Sequence, residues 1–146
     1  MTLRVVLDAN VIISGVIAPQ GIPAAILDAW QDGTLVVVTC PALLAEIEEK
    51  LRLPRIRRKY PLSDAVVLNV LIRLAQTAVL APDTAEGLSP LVGLPDPDDA
   101  MLFAAATNAK ADFIVTGDKK LLEFQWSGAA RIVSPRQFWE TEFPAR

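Results

Sequence analysis

A chain of 146 residues, 52% hydrophobic and 21% charged, is expected to fold as one domain over residues 1–146 rather than to stay disordered. Fourteen basic against seventeen acidic residues leave a net charge of −3, so a nucleic-acid partner would require a local basic patch and a metal. With no His and a single Cys, the chain has no imidazole acid–base pair, Ser-His-Asp triad, His-ligated zinc or internal disulfide. A metal site would have to be built from oxygen, which suits Mg²⁺ or Mn²⁺.

In chain order, Leu3-Arg-Val-Val-Leu7 is short, β-branched and apolar, and predicts a buried strand ending at Asp8. Asn10 to Gly15 begins a short helix or turn. Pro23 suits the first turn of a helix running to about Trp30, and Asp32-Gly33 marks a turn. Leu35 to Thr39 is the clearest strand. Cys40 has apolar neighbours and reads as a small core residue rather than a nucleophile. After Pro41, a helix from Ala42 to about Leu51 turns Leu43, Leu44, Ile47 and Leu51 inward. Glu46 and Glu48 flank that face on either side, and the wheel does not choose between them. All three acids of this helix, Glu49 included, can equally form a solvated face.

Arg52, Arg55, Arg57, Arg58 and Lys59, beside Tyr60, form either a phosphate-contacting patch or an ordinary exposed loop. Ser63 caps a helix from Ala65 to about Gln76. That helix is apolar almost all round, so it is either fully buried or a subunit contact, which makes a homodimer plausible. Asn69 and Arg73 interrupt the longest apolar window, Ala65 to Leu80, and Arg4 and Asp8 interrupt the N-terminal run. Neither a membrane span nor a signal peptide is expected, which points to a soluble cytoplasmic protein.

Ala78 to Leu80 is a weak strand, and Ala81 to Pro95 a loop. Asp98 to about Ala109 is a helix with Met101, Leu102, Ala105 and Ala109 inward. Asp112 to Thr116 is a strand, Lys119 to Phe124 a short helix, Arg131 to Val133 an edge strand and Pro135 to about Glu142 a closing helix. Strands alternating with helices predict an α/β fold whose parallel sheet is covered on both faces. Ligands of such sheets sit at the carboxyl ends of the strands.

Acids gather at those ends. Asp8 follows the first strand, Asp118 the strand ending near Thr116, and Asp96, Asp98 and Asp99 lie where a Pro-broken loop becomes a helix. Two carboxylates ~4 Å apart repel by about 4 kcal/mol at an effective dielectric of 20. Several together call for protons or a cation. Each acid also has a structural use. Asp96 can cap Pro97, Asp98 and Asp99 suit the positive end of a helix, and Asp118 suits a turn. Asp8 has no evident capping role. Acids at three such ends of one sheet point jointly to a metal site. The chemistry it supports is metal-assisted phosphoryl transfer with an in-line, metal-activated water.

Four segments carry a resemblance: Leu7-Asp-Ala-Asn-Val-Ile-Ile-Ser14, Leu43-Leu-Ala-Glu-Ile47, Asp96-Pro-Asp-Asp99 and Ile114-Val-Thr-Gly-Asp-Lys-Lys-Leu-Leu122. In this order and spacing they resemble the motifs of PIN-domain nucleases, and most of all the VapC-like toxin components of toxin–antitoxin pairs. The resemblance spans nearly the whole chain. It implies a three-layer α/β/α domain with a central, mostly parallel sheet, and a quartet of acids binding Mg²⁺ or Mn²⁺. By motif position the quartet is Asp8, Glu46, Asp99 and Asp118, with Asn10 and Thr116 orienting the acids or their waters. Asp96 and Asp98 crowd the third position. The implied activity is endoribonuclease cleavage, the implied partners an RNA substrate, a cognate antitoxin and a second copy of the chain. Arg52 to Lys59 is then the candidate RNA contact.

Two other readings compete. A receiver-type phosphoacceptor would need an adjacent acid pair after the first strand, and a dehalogenase-like phosphatase would need Asp where Asn10 stands. A catalytically silent PIN-fold scaffold would keep the fold without activity.

Overall fold

The computed structural model describes residues 2–60 and 62–144. Its centre is a five-stranded parallel sheet of β1 (Leu3–Leu7), β2 (Leu35–Thr39), β3 (Val79–Leu80), β4 (Phe113–Val115) and β5 (Arg131–Val133). The strands lie in the order β3-β2-β1-β4-β5. β1 is the middle strand. Val5 stands opposite Val37 on one side and Phe113 on the other, and Leu7 stands opposite Val115. A central strand covered on both faces has no solvent side, so Val5, Val6 and Leu7 are all fully buried. For that reason the segment reads as a continuous apolar run instead of an alternating one.

The chain leaves β1 toward β2 and β3, then returns to lay β4 and β5 on the other side. The strand order therefore reverses between β1 and β4, where sheets of this kind open a crevice at their carboxyl ends.

The helices are α1 (Ala9–Ile17), α2 (Ile22–Gln31), α3 (Pro41–Leu51), α4 (Pro54–Lys59), α5 (Asp64–Thr77), α6 (Ala100–Ala109), α7 (Lys119–Leu122) and α8 (Pro135–Glu142). α6 and α8 cover opposite faces of the sheet. Cys40 Sγ lies 4.0 Å from the Met101 carbonyl of α6, while Phe138 of α8 meets Phe113 edge-on at 5.2 Å. Phe113 and Ile114 alternate between those faces. α1 and α2 meet at 96°, and Gly15 permits their approach. A Cβ at Gly15 would stand 3.0 Å from the Pro23 carbonyl and 2.5 Å from Leu27 Cδ1. Ser134 and Gln137 form a reciprocal cap at the start of α8, and Ser63 caps α5 through Val66 N–H.

Several expectations need correction. Arg52 to Lys59 is not a plain loop: Pro54 starts the short helix α4. α5 is not fully buried. Val67 and Leu74 face inward, whereas Val66, Leu68 and Ile72 are exposed, because α5 packs on α3 and β2 from outside and carries no layer above it. The helix expected from Asp98 begins at Ala100, after a 3₁₀ turn over Pro97–Asp99. α6 is also buried more fully than one apolar stripe implies: Phe103, Ala104 and Ala106 are covered, while Met101 is only half-buried. The cover is the 124–126 segment, where Phe124 and Trp126 stand edge-on to Phe103 at 5.5 and 4.9 Å. No single helix among the described residues is long and apolar enough to cross a membrane.

Candidate metal centre

Asp8 occupies the residue between β1 and α1, yet its side chain caps nothing in that helix. It is 6% exposed, and the fully buried Thr116 donates its hydroxyl to Asp8 Oδ2 at 2.7 Å. Thr116 Oγ in turn accepts from the Asp118 backbone N–H at 3.1 Å. The backbone donor leaves the hydroxyl proton aimed at Asp8. This relay ties residues 108 apart in sequence, across the point where strand order reverses. A buried carboxylate held this way is oriented through one oxygen.

Asp96 caps the 3₁₀ turn, accepting from Asp98 N–H at 2.9 Å. Asp98 is exposed, whereas Asp99 is half-buried at the start of α6. Burial, then the negative charges of Asp8, Asp96, Glu46 and Asp118, push the Asp99 carboxyl from 3.8 up to about 6. Four acids from separate elements thus act on one carboxyl. Asp118 caps α7 through Lys120 N–H at 2.9 Å, so its structural use holds alongside its place in this cluster.

On α3, Glu46 is half-buried while Glu48 and Glu49 are exposed. Glu48 pairs with Arg52 at 3.3 Å. Glu46 is the one that acts on Asp99. Its Oε1 also lies 3.2 Å from Lys50 Nζ, and the same ammonium donates to Asn10 Oδ1 at 3.1 Å. Among the described residues, no three acids stand close enough to close around a cation as they are.

These features coincide with a family match. A family model described as PIN domain matches residues 4–120. The chain belongs to the PIN-domain family. It is also 35% identical over 124 residues to an uncharacterised protein of Methanocaldococcus jannaschii, MJ1680, a match covering 84% of this chain and 76% of that one.

PIN domains are generally nucleases and typically bind divalent metals. The residues of this PIN domain fit such a group. Every side chain there that could ligate a metal offers oxygen, and burial together with four neighbouring carboxylates raises the Asp99 carboxyl. Of the expected quartet, Asp8, Asp99 and Asp118 gather at the sheet's carboxyl end, joined by Glu46 from α3. Thr116 donates to Asp8. Asn10 Oδ1 accepts from Lys50 Nζ and makes no hydrogen bond to an acid among the described residues. Cys40 is fully buried, which pushes its thiol up to about 12, in keeping with an inert core residue.

The basic stretch divides. Arg52 is held by Glu48, and Arg57 by Asp64 and the Leu62 carbonyl. Arg55, Arg58 and Lys59 are exposed and make no ion pair among the described residues. Lys50 carries only a weak signal in the sequence. A Glu–Lys pair at i,i+4 is a readable signal, but its second contact, to Asn10, spans 40 residues and is not.

Proposed function

We propose that this PIN domain is a metal-dependent endoribonuclease, the toxin of a toxin–antitoxin pair, acting in the cytoplasm. The observation that carries the reading is the buried Asp8 carboxylate, fixed by Thr116 at the point where strand order reverses, with Asp99, Glu46 and Asp118 near enough for their charges to act on one another. Asp8, Glu46, Asp99 and Asp118 would hold Mg²⁺ or Mn²⁺. A divalent ion bound there supplies Lewis acidity to a water and a phosphate oxygen. The chain's own residues do the rest. Thr116 fixes the Asp8 carboxylate, the Asp96 cap fixes the turn that presents Asp99, and Asp118 holds its own loop by capping α7. Arg55, Arg58 and Lys59 bind the RNA backbone.

A cognate antitoxin and a second copy of the chain complete the proposed partners. Supporting the dimer, α5 exposes Val66, Leu68 and Ile72, and Leu80 of the edge strand β3 follows them.

The experiment is cleavage of a mixed RNA pool by purified protein, with Mn²⁺ or with EDTA, wild type beside Asp8→Asn. Cutting by wild type with Mn²⁺ alone is the expected result. Cutting that survives EDTA or Asp8→Asn counts against the assigned site. One observation favours the silent scaffold instead: Glu46 is already engaged by Lys50. Mn²⁺ calorimetry separates the two readings, since a scaffold would bind none at millimolar concentration.

A further inference from the structure

Lys50 is the basic side chain that the structure sets inside the acidic rim. Its Nζ sits 3.2 Å from Glu46 Oε1 and 3.1 Å from Asn10 Oδ1, and it is about as exposed as Glu46, 33% against 32%. It therefore joins α3 to the first turn of α1, the turn that follows Asp8. An ammonium cannot accept, so both contacts draw on its donors alone. The Glu46 carboxylate it holds is the same one that acts on Asp99. With this tie made, the acids do not form a closed ligand set among the described residues.

Position along α3 supplies the second half of the argument. Lys50 lies one turn, about 6 Å, beyond Glu46. At Pro54 the chain enters α4, which packs on α3 and carries the exposed Arg55, Arg58 and Lys59. Lys50 thus lies, along the chain, between Glu46 and the basic helix.

We propose that Lys50 is a resident counter-cation of the acid rim: it occupies Glu46 until a divalent ion takes that carboxylate, and the freed ammonium then binds an RNA phosphate between the rim and α4. The inference rests on the metal-dependent ribonuclease reading. It adds that metal loading and RNA engagement are coupled through one side chain. Lys50 competes with the metal in the empty protein and serves the substrate in the loaded one.

The test compares wild type with Lys50→Gln and Lys50→Arg, and with Lys110→Gln as a charge control at the far end of α6. Mn²⁺ affinity is read by calorimetry, and thermal unfolding is followed with EDTA and with excess Mn²⁺. Because a half-exposed ion pair is worth about two- to fivefold in a binding constant, Lys50→Gln should bind Mn²⁺ that much more tightly. Its melting temperature should rise more on adding Mn²⁺ than that of wild type. Lys50→Arg and Lys110→Gln should match wild type. With RNA, Lys50→Gln should raise KM without lowering kcat, and the slope of log KM against log salt should fall by about 0.7. Equal or weaker Mn²⁺ binding by Lys50→Gln overturns the proposal, as does an unchanged salt slope. Wild type that binds no Mn²⁺ overturns the nuclease reading with it, whereas Mn²⁺-binding wild type with unaltered Lys50→Gln overturns the Lys50 role alone.

Discussion

Replacing Asp99 with Asn removes a charge that the metal-free protein tolerates at a cost. The carboxyl rises from 3.8 to about 6, through burial first and then through Asp8, Asp96, Glu46 and Asp118. The native state therefore keeps a proton that the unfolded chain gives up across this window. Stability falls as pH climbs from 3.8 to about 6 and stays low above it. The full rise corresponds to at most about 3 kcal/mol. Asp99 is only half-buried, and solvent screening reduces this to about 1 kcal/mol. The Asp99 side chain makes no cap hydrogen bond at the start of α6, so that start should survive the exchange. In EDTA at pH 7.5, Asp99→Asn should therefore be more stable than wild type by about 1 kcal/mol, or about 3 °C in a chain of this length. By pH 5 the gain should shrink to about half. The assay is thermal and urea unfolding at both pH values, repeated with excess Mn²⁺. Metal should reverse the order, because only wild type gains its binding free energy, about 2.7 kcal/mol at a hundredfold excess over Kd. A variant no more stable than wild type at pH 7.5 in EDTA would refute the argument that the acids crowd Asp99.

Thr116→Val keeps the shape but leaves Asp8 Oδ2 and the Asp118 N–H without their partner. It should cost about 1–3 kcal/mol by urea unfolding and lower RNA cleavage, with Thr116→Ser restoring both. Leu68→Glu with Ile72→Glu should give a monomer by sedimentation without loss of helicity by circular dichroism, since both side chains are exposed on α5; an unchanged sedimentation coefficient from a dimeric wild type would place the contact elsewhere. Gly15→Val should destabilise by about 1–3 kcal/mol, because its side chain meets the Pro23 carbonyl and Leu27 where α1 crosses α2. A neutral result there would mean that the two helices can part.

Local chemistry was legible in the sequence. The runs Leu3–Leu7, Leu35–Thr39 and Arg131–Val133 form strands over the expected residues, and the closing helix Pro135–Glu142 forms as expected. Ser63 and Asp96 cap where their types and positions say they should. The lack of His restricts any metal site to oxygen, whatever the fold. α4 was hidden because a six-residue helix of mostly basic residues has no apolar period to display. The exposure of Leu68 and Ile72 was hidden because burial is a property of neighbours, and an all-apolar helix reads alike beneath a layer or on the outside.

The candidate site needed tertiary structure in a stronger sense. Sequence supplied the acids and their places at element ends. Strand order put β1 beside β4 and so brought Asp8 to Thr116 across 108 residues. The orientation of α3 turned Glu46 rather than Glu48 toward Asp99, a choice that the apolar face left open and that only motif resemblance had assigned. The 3₁₀ turn left Asp99 half-buried and Asp98 exposed. Local sequence fixes residue types and backbone preferences over a few residues, because those follow from sterics and nearby hydrogen bonds. Which carboxylates share a space depends on register and packing between distant segments, and only the folded chain decides that.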